Sequence, residues 1–309
     1  MAKTAILFPG QGAQTVGMGK DFHDACPAAA RVYREAAETL GWDVAALCFN
    51  GPQAELDRTA VCQPAILTTS LAILAAMREA GYAPLGNVSA AAGLSLGEYT
   101  ALVAAGSMSF ADALKLVQKR GQYMEEACRQ NPGAMMSIIG LDDAAVEAVC
   151  EQAREAGAVV PANYNSPGQL VISGSPQGVQ RAAELAKARG AKRALPLAVS
   201  GAFHSPLMEP AAARLEQALA ATAVVAPTMM VIANVSAEPV SDPALIRRSL
   251  AQQVKSAVRW CPSMKRLVAD GYGQFIEVGP GKVLSGLMKR IAPEAQVVNV
   301  SSLDALKTA

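Results

Sequence analysis

The 309-residue sequence predicts an α/β protein with a mostly parallel sheet, and three observations carry that prediction. Short apolar runs alternate with longer helical patterns at both ends of the chain, the mark of strands joined by crossover helices. Between them, from Ala134 to Val199, the order changes to βαββαβ. A Gly-x-Ser-x-Gly turn, Gly93-Leu-Ser-Leu-Gly97, stands where a strand passes into a helix.

Ala5 to Phe8 is a first buried strand, followed by the glycine-rich turn Pro9 to Gly19. Helical patterns fill most of residues 20 to 80, the strongest running from Gln63-Pro64 through Leu67, Leu71, Leu74 and Met77, with Pro64 read as a helix start. Val88 to Gly93 is a strand feeding the Ser95 turn, and a further helix runs from Ser109 to about Gln130, where Asn131-Pro-Gly133 stops it. The middle segment reads as strand Ala134 to Ile139, helix Asp142 to Glu155, strands Val159 to Tyr164 and Gln169 to Ser173, helix Pro176 to Arg189 and strand Arg193 to Val199. That order is a ferredoxin-like split unit, inserted as residues 132–199 between 1–131 and 200–309. Alternation then resumes with a helix from Ser205, a strand Met229 to Asn234, helices to about Ala269, a strand Gln274 to Val278, a helix from Lys282 and a last strand near Val297 to Val300.

Composition excludes several classes. A formal charge of +1 leaves no electrostatic footprint for nucleic acid or a membrane surface. The apolar runs are short and broken, so no membrane span is expected, and the N-terminal run is too short for a signal peptide. The six cysteines form no Cys-x-x-Cys pair and read as reduced thiols of a cytoplasmic chain. Two histidines and scattered cysteines argue against a protein-built metal site.

Two glycine-rich loops invite a nucleotide reading and fail it. After Gly10 and Gly12 the third fingerprint position is Thr15, and Gly279-Pro-Gly-Lys282 lacks the upstream glycine of a phosphate loop. Ser95 has the context of an elbow nucleophile, the alternative being a turn that caps a helix. A serine needs a base, and the candidates are His23 and His204. His204 follows Ser95 in the chain order of elbow enzymes and sits at a strand-to-helix junction, where it could equally be a simple helix-start residue; His23, between Asp21 and Asp24, reads as a solvated surface residue. On the helix after Ser109, Arg120 falls at the edge of an apolar stripe, where it must snorkel to water or pair with an anion, for which a carboxylate is the best geometric match.

With these motifs in order, the sequence resembles the malonyl-CoA:acyl carrier protein transacylases over essentially its whole length. The likeness lies in Phe8-Pro-Gly-Gln-Gly-Ala-Gln-Thr15, Gly93-Leu-Ser-Leu-Gly-Glu-Tyr99, Arg120-Gly-Gln-Tyr-Met124, Asn163-Tyr-Asn-Ser-Pro-Gly-Gln169, His204 and Phe275 to Lys282. The resemblance implies an α/β-hydrolase-like large subdomain with a ferredoxin-like insert and an active site between them. It implies Ser95 as nucleophile, His204 as base oriented by the backbone carbonyl of Gln253, and the N–H groups of Gln11 and Leu96 as oxyanion hole. Arg120 would clamp the malonyl carboxylate, with Met124, Asn163 and Phe203 in the substrate pocket and Phe203 leaving no room for an α-methyl branch. Leu94 departs from the histidine usual before the serine, which makes His204 the sole candidate imidazole. The implied partners are malonyl-CoA and holo acyl carrier protein, acting on a monomer with no cofactor; the basic run Lys187 to Arg193 is either a carrier-protein contact or a solvated surface. Fatty acid synthesis is the expected setting. The alternatives are a trans-acting acyltransferase of polyketide synthesis, a serine hydrolase or thioesterase, and a non-catalytic acyl-CoA-binding scaffold.

Overall fold

Alternate residues of the first strand enter different cores, and this divides the large subdomain into layers. The computed structural model describes residues 3–199 and 201–308; Ser200, which opens the segment carrying His204, lies outside the described residues, as do Met1, Ala2 and Ala309. In β1 (Lys3–Phe8), Ile6 and Phe8 pack on one face of the sheet while Ala5 and Leu7 pack on the other. β2 (Val88–Gly93) lies parallel beside it and is made of small residues, so helices approach closely.

The remaining strands are β3 (Ala134–Ile139), β4 (Val159–Ser166), β5 (Gln169–Gly174), β6 (Arg193–Pro196), β7 (Met230–Ile232), β8 (Pro239–Val240), β9 (Tyr272–Val278) and β10 (Gln296–Val300). The described residues form a sheet in the order β10-β9-β1-β2-β7-β8, parallel except where β8 returns against β7. Helices Pro27–Leu40, Thr59–Glu79, Gly97–Ala104 and Phe110–Gln130 supply the core over one face; Trp260–Ala269 and Val283–Ile291 cover the other.

A second, antiparallel sheet has the order β4-β5-β3-β6, the ferredoxin-like arrangement. Helices Asp143–Ala153 and Pro176–Ala188 bury Ile138, Leu170 and Ile172 on one of its faces. The alternating residues Met135, Ser137, Asn163 and Val171 turn the other face toward the cleft between the sheets. The edge of β4 is closed by Val258 of the large subdomain, whose N–H donates to the Ala162 carbonyl at 2.8 Å and whose carbonyl accepts from the Tyr164 N–H at 2.9 Å.

The Pro64 helix start and the end of the strand from Arg193 need correction, and two short elements escaped the sequence reading. Pro64 does not start its helix, which begins at Thr59; the Ala60 N–H is satisfied by the Glu125 carboxylate at 2.8 Å, so a neighbouring helix sets the start. That helix, Thr59–Glu79, is long and apolar enough to cross a bilayer by composition, but it is the buried centre of the helical layer. The strand from Arg193 ends at Pro196; the Leu197 N–H still donates to the Met135 carbonyl at 3.0 Å, after which the chain leaves the sheet and Leu197 and Val199 line the cleft. β8 and the helix Leu303–Thr308 were too short to leave a periodic pattern.

The loop Gly279-Pro-Gly-Lys282 has a structural occupant. The buried Glu277 carboxylate accepts the N–H groups of Leu284 and Ser285, both at 2.9 Å, the Ser285 hydroxyl at 2.6 Å and Asn299 Nδ2 at 3.0 Å, so the following helix N-terminus is already satisfied. Glu277→Ala should therefore cost roughly 3 kcal/mol or more of stability, because several buried donors lose their acceptor together. Urea unfolding checks it: Glu277→Gln should lose less than Glu277→Ala, and a loss below about 1 kcal/mol for the alanine variant would refute the capping role.

Candidate active site

The elbow is fixed by backbone contact with β1. The Leu94 N–H donates to the Phe8 carbonyl at 3.1 Å, and Gly97 lies so close to that carbonyl that an added Cβ would sit 2.1 Å from its oxygen. Gly93 is equally confined, a Cβ there falling 1.9 Å from the Gly97 backbone. The turn forced between the two glycines puts Ser95 at φ +52°, a conformation costly for a side-chain-bearing residue and held by its surroundings. Asn234 grips both sides: its Oδ1 accepts the Ser95 N–H at 2.7 Å and its Nδ2 donates to the Gly93 carbonyl at 2.8 Å.

His204 reaches the serine from the other side of the cleft floor. It too has positive φ, +59°, and its N–H donates to the Val254 carbonyl at 3.0 Å. The ring lies between two oxygens. Nδ1 is 2.7 Å from the Gln253 carbonyl, which can only accept, so Nδ1 carries the proton. Nε2, 2.9 Å from Ser95 Oγ, is then the free lone pair that accepts the hydroxyl proton. Burial and the nearby Arg120 charge push the imidazole down to about 4, against its ordinary 6.5. His23 lies elsewhere; rather than being solvated, it is half-buried against the rings of Tyr33 and Phe49, on the apolar edge of its short helix.

Arg120 does not snorkel. It is 1 % exposed, because the helix Thr59–Glu79 covers that edge of the apolar stripe. Nη1 donates to Gln63 Oε1 at 2.7 Å; Nη2 donates to Gln253 Oε1 at 2.9 Å and to Ser95 Oγ at 3.1 Å. The guanidinium also lies 5.5 Å from the Tyr99 ring centroid, and Nε has no hydrogen-bond acceptor among the described residues. The buried guanidinium thus touches the Ser95 hydroxyl and keeps one donor without an acceptor among the described residues.

The cleft at this point is a cavity of about 270 Å³. Ser95, His204, Arg120, Met124, Asn163 and Phe203 line it, with Leu94 and Gln11. Among the described residues the N–H groups of Gln11 and Leu96 have no protein acceptor. A neighbouring cavity of about 430 Å³ shares Gln11 and Val199 with the first and opens beside Arg58, Glu125 and Arg129. Three residues of the site escaped the sequence reading: Gln63, Asn234 and Glu98, whose Oε2 accepts Gln253 Nε2 at 2.6 Å. The available signal was a polar residue in an apolar helical run, visible at Gln63 and Glu98 and absent at Asn234.

A serine hydroxyl hydrogen-bonded to a buried imidazole at a strand-to-helix elbow is an arrangement suited to acyl chemistry, and with the α/β fold it points to the acyl-transferring and acyl-hydrolysing enzymes as a class. The family model for the acyl transferase domain matches residues 6–303. The malonyl CoA-acyl carrier protein transacylase of Bacillus subtilis is 47 % identical over all of this chain and 96 % of its own. The crystal structure of an acyl carrier protein S-malonyltransferase from Vibrio cholerae matches with a TM-score of 0.95 at 44 % identity, over 99 % of both chains. A malonyl-transacylase solved in complex with its type II polyketide-synthase acyl-carrier protein matches with a TM-score of 0.95 at 42 % identity, over 100 % of this chain and 99 % of its own. The chain belongs to the acyl transferase domain family, among the malonyl CoA-acyl carrier protein transacylases.

The low proton affinity of His204 is directly measurable. Its ring should stay neutral through pH 6.5 and titrate near the value of about 4, as read by NMR of the ring nitrogens. Arg120→Ala should raise that value by removing one of its causes. A wild-type ring half-protonated at 6.5 would contradict the desolvated, cation-adjacent setting.

Proposed function

We propose that this chain moves a malonyl group from malonyl-CoA to the phosphopantetheine thiol of an acyl carrier protein, through a malonyl ester on Ser95. The observation that carries the reading is the buried Arg120 guanidinium bonded to the nucleophile's oxygen. Malonyl differs from acetyl by one terminal carboxylate, and a dry cleft accepts that charge only where a partner waits.

In the first half-reaction Ser95 Oγ attacks the thioester carbonyl while His204 Nε2 takes its proton. The Gln11 and Leu96 amides stabilise the tetrahedral oxyanion. Collapse breaks the C–S bond, and the imidazolium returns the proton to the departing CoA sulfur. In the second half His204 takes the proton of the incoming pantetheine thiol, the thiolate attacks the ester, and the proton goes back to Ser95. The Gln253 carbonyl holds the tautomer throughout, and Arg120 leaves Ser95 Oγ to take the malonyl carboxylate. Met124, Asn163 and Phe203 wall the acyl group, with Phe203 excluding an α-branch. Leu94 offers no proton, so one imidazole serves both halves. The cavity beside Gln11 and Val199 is the approach for the pantetheine arm. The exposed Lys187, Arg189, Lys192 and Arg193 form a basic contact for an acidic carrier protein.

On this reading the working unit is a monomer, and the free cysteines support a cytoplasmic one. Residues 132–199 are the inserted unit on this reading, with 1–131 and 200–309 as the catalytic subdomain. The reaction fits fatty acid synthesis. The likeness to a polyketide malonyl-transacylase favours the same chemistry in polyketide assembly as second reading, and a panel of carrier proteins distinguishes the two.

Intact mass after mixing with malonyl-CoA, then with holo carrier protein, tests the core of this. Wild type should gain and then lose a malonyl adduct, and Ser95→Ala should gain none. His204→Ala should slow transfer by roughly 10²–10⁴-fold. An adduct surviving in Ser95→Ala names another nucleophile, an adduct passed to water rather than to the carrier makes the chain a hydrolase or thioesterase, and no adduct on wild type makes it a scaffold.

Arg120→Ala should cost malonyl loading about 2–5 kcal/mol of transition-state stabilisation and leave acetyl loading unchanged or improved. Arg120→Lys should recover only part, since an ammonium lacks the planar fork. The measurement is kcat/KM for malonyl-CoA and acetyl-CoA on all three proteins; equal losses for both donors would remove the clamp assignment.

A further inference from the structure

One buried carboxylate beside this site takes no part in the steps above. Glu98 stands in the first turn of helix Gly97–Ala104 and is 2 % exposed. Its Oε2 accepts Gln253 Nε2 at 2.6 Å and the Asn234 N–H at 3.1 Å. The same Gln253 amide turns its oxygen to Arg120 Nη2 at 2.9 Å, and Nη2 goes on to Ser95 Oγ at 3.1 Å. Carboxylate, amide, guanidinium and nucleophile thus form one continuous chain. The amide's orientation is determined by its neighbours: flipped, its oxygen would face Glu98 Oε2 and the Ser95 carbonyl, and its NH2 would face the guanidinium. Arg120 has no direct ion pair among the described residues, and Glu98 is the carboxylate whose charge acts on it.

We propose that Glu98 is a positioning residue for malonyl selection: relayed by Gln253, it is the resident counter-charge of Arg120, and it takes up a proton when a carboxylated acyl group docks on the guanidinium. The inference rests on the carboxylate-clamp reading of Arg120. Before docking, one buried cation faces one buried anion. After docking, two anions share that cation, and like charges confined to one site do not both stay ionised without cost. Protonating Glu98 restores the balance while its other contacts stay in place. Burial already holds the Glu98 carboxyl up at about 7, so the proton is available near neutral pH. An acetyl group brings no charge and calls for no proton.

The sign follows. At low pH Glu98 is neutral and the malonyl carboxylate is the only anion on Arg120. At high pH malonyl must enter against a resident anion. Malonyl loading relative to acetyl loading therefore falls as pH rises. The other titratable groups facing this cluster do not mimic that trend. Burial lowers Arg120 but leaves a guanidinium charged in this range, and Tyr99 and Cys62 are pushed well up by burial. His204, held down at about 4, serves both acyl donors, so its titration cancels in the ratio.

The test is the ratio of kcat/KM for malonyl-CoA to that for acetyl-CoA from about pH 6 to about pH 9. In wild type it should fall about tenfold or more, the effect of one pKa unit of coupling between two carboxylates. In Glu98→Gln, which keeps an acceptor oxygen for Gln253 and Asn234 but drops the charge, it should be flat within about twofold. A purely structural glutamate would change both rates together and leave the profile of the ratio unmoved. Should Glu98→Gln not fold, calorimetry reads the same event on Ser95→Ala: binding in two buffers of different ionisation heat should show net proton uptake with malonyl-CoA and none with acetyl-CoA. A flat wild-type ratio, an unchanged slope in Glu98→Gln, or no uptake overturns the proposal. The failure of the clamp itself looks different, because Arg120→Ala would then lose both donors alike.

Discussion

A guanidinium cut off from water has to be satisfied by what surrounds it, and the organisation of this cleft follows from that requirement. Arg120 is charged and 1 % exposed, yet no carboxylate touches it. It is held by two glutamine oxygens, a serine hydroxyl and the face of Tyr99. Dipoles and a ring offset part of the desolvation cost without neutralising the charge. The remaining positive potential is focused on the two atoms that react. It disfavours a second cation, which is one reason His204 stays neutral and able to accept a proton. It also favours negative charge developing on Ser95 Oγ. A direct Arg–carboxylate pair would be better satisfied and chemically silent.

Amides hold the rest of the site in register. Asn234 grips the elbow on both sides of Ser95, and Gln253 acts twice, orienting His204 with its backbone carbonyl and Arg120 with its side chain. A carboxylate at the Gln253 carbonyl position would also fix the imidazole tautomer, but it would raise the proton affinity of the ring. A carbonyl fixes the tautomer with only a modest effect of that kind. Because one residue serves both the base and the clamp, a shift of the helix end at Gln253 would disturb proton transfer and acyl recognition together.

The sequence made some of this legible and hid the rest for identifiable reasons. Strands Val88–Gly93 and Ala134–Ile139 were readable to the residue, since apolar or small runs ended at glycine or proline-glycine signals. The antiparallel order of the small sheet followed from its βαββαβ succession. Pro64 misled because a proline prefers a helix start, whereas here Glu125, from another helix, decides where the start falls. Helical periodicity could put Arg120 at a stripe's edge but could not say that another helix would cover it. Glu98 meets Asn234 and Gln253 across separations of more than a hundred residues, which no local pattern encodes. Neither sheet pairing nor helix phase predicts which amide hydrogen will find which carboxylate oxygen.

The two subdomains bring different things to one cavity, and that division bears on why an ester here would wait for a thiol rather than for water. The large subdomain supplies Ser95 from the turn ahead of helix Gly97–Ala104, His204 from the turn before Pro206–Met208 and Arg120 from the middle of helix Phe110–Gln130. The small sheet contributes a wall in which Met135 and Val171 alternate with Ser137 and Asn163. Val258 pins the edge of β4 so that this wall does not swing freely. With Leu94, Met124 and Phe203 the cleft beside Ser95 presents mainly apolar surface. Water in such a place makes few hydrogen bonds and is poorly held. A pantetheine arm, by contrast, gains contact along its length and delivers a thiol whose anion is the better nucleophile at neutral pH. Leu94, directly before the serine and lining the cleft, pushes in the same direction, since its side chain offers no hydrogen-bonding group to hold a water there.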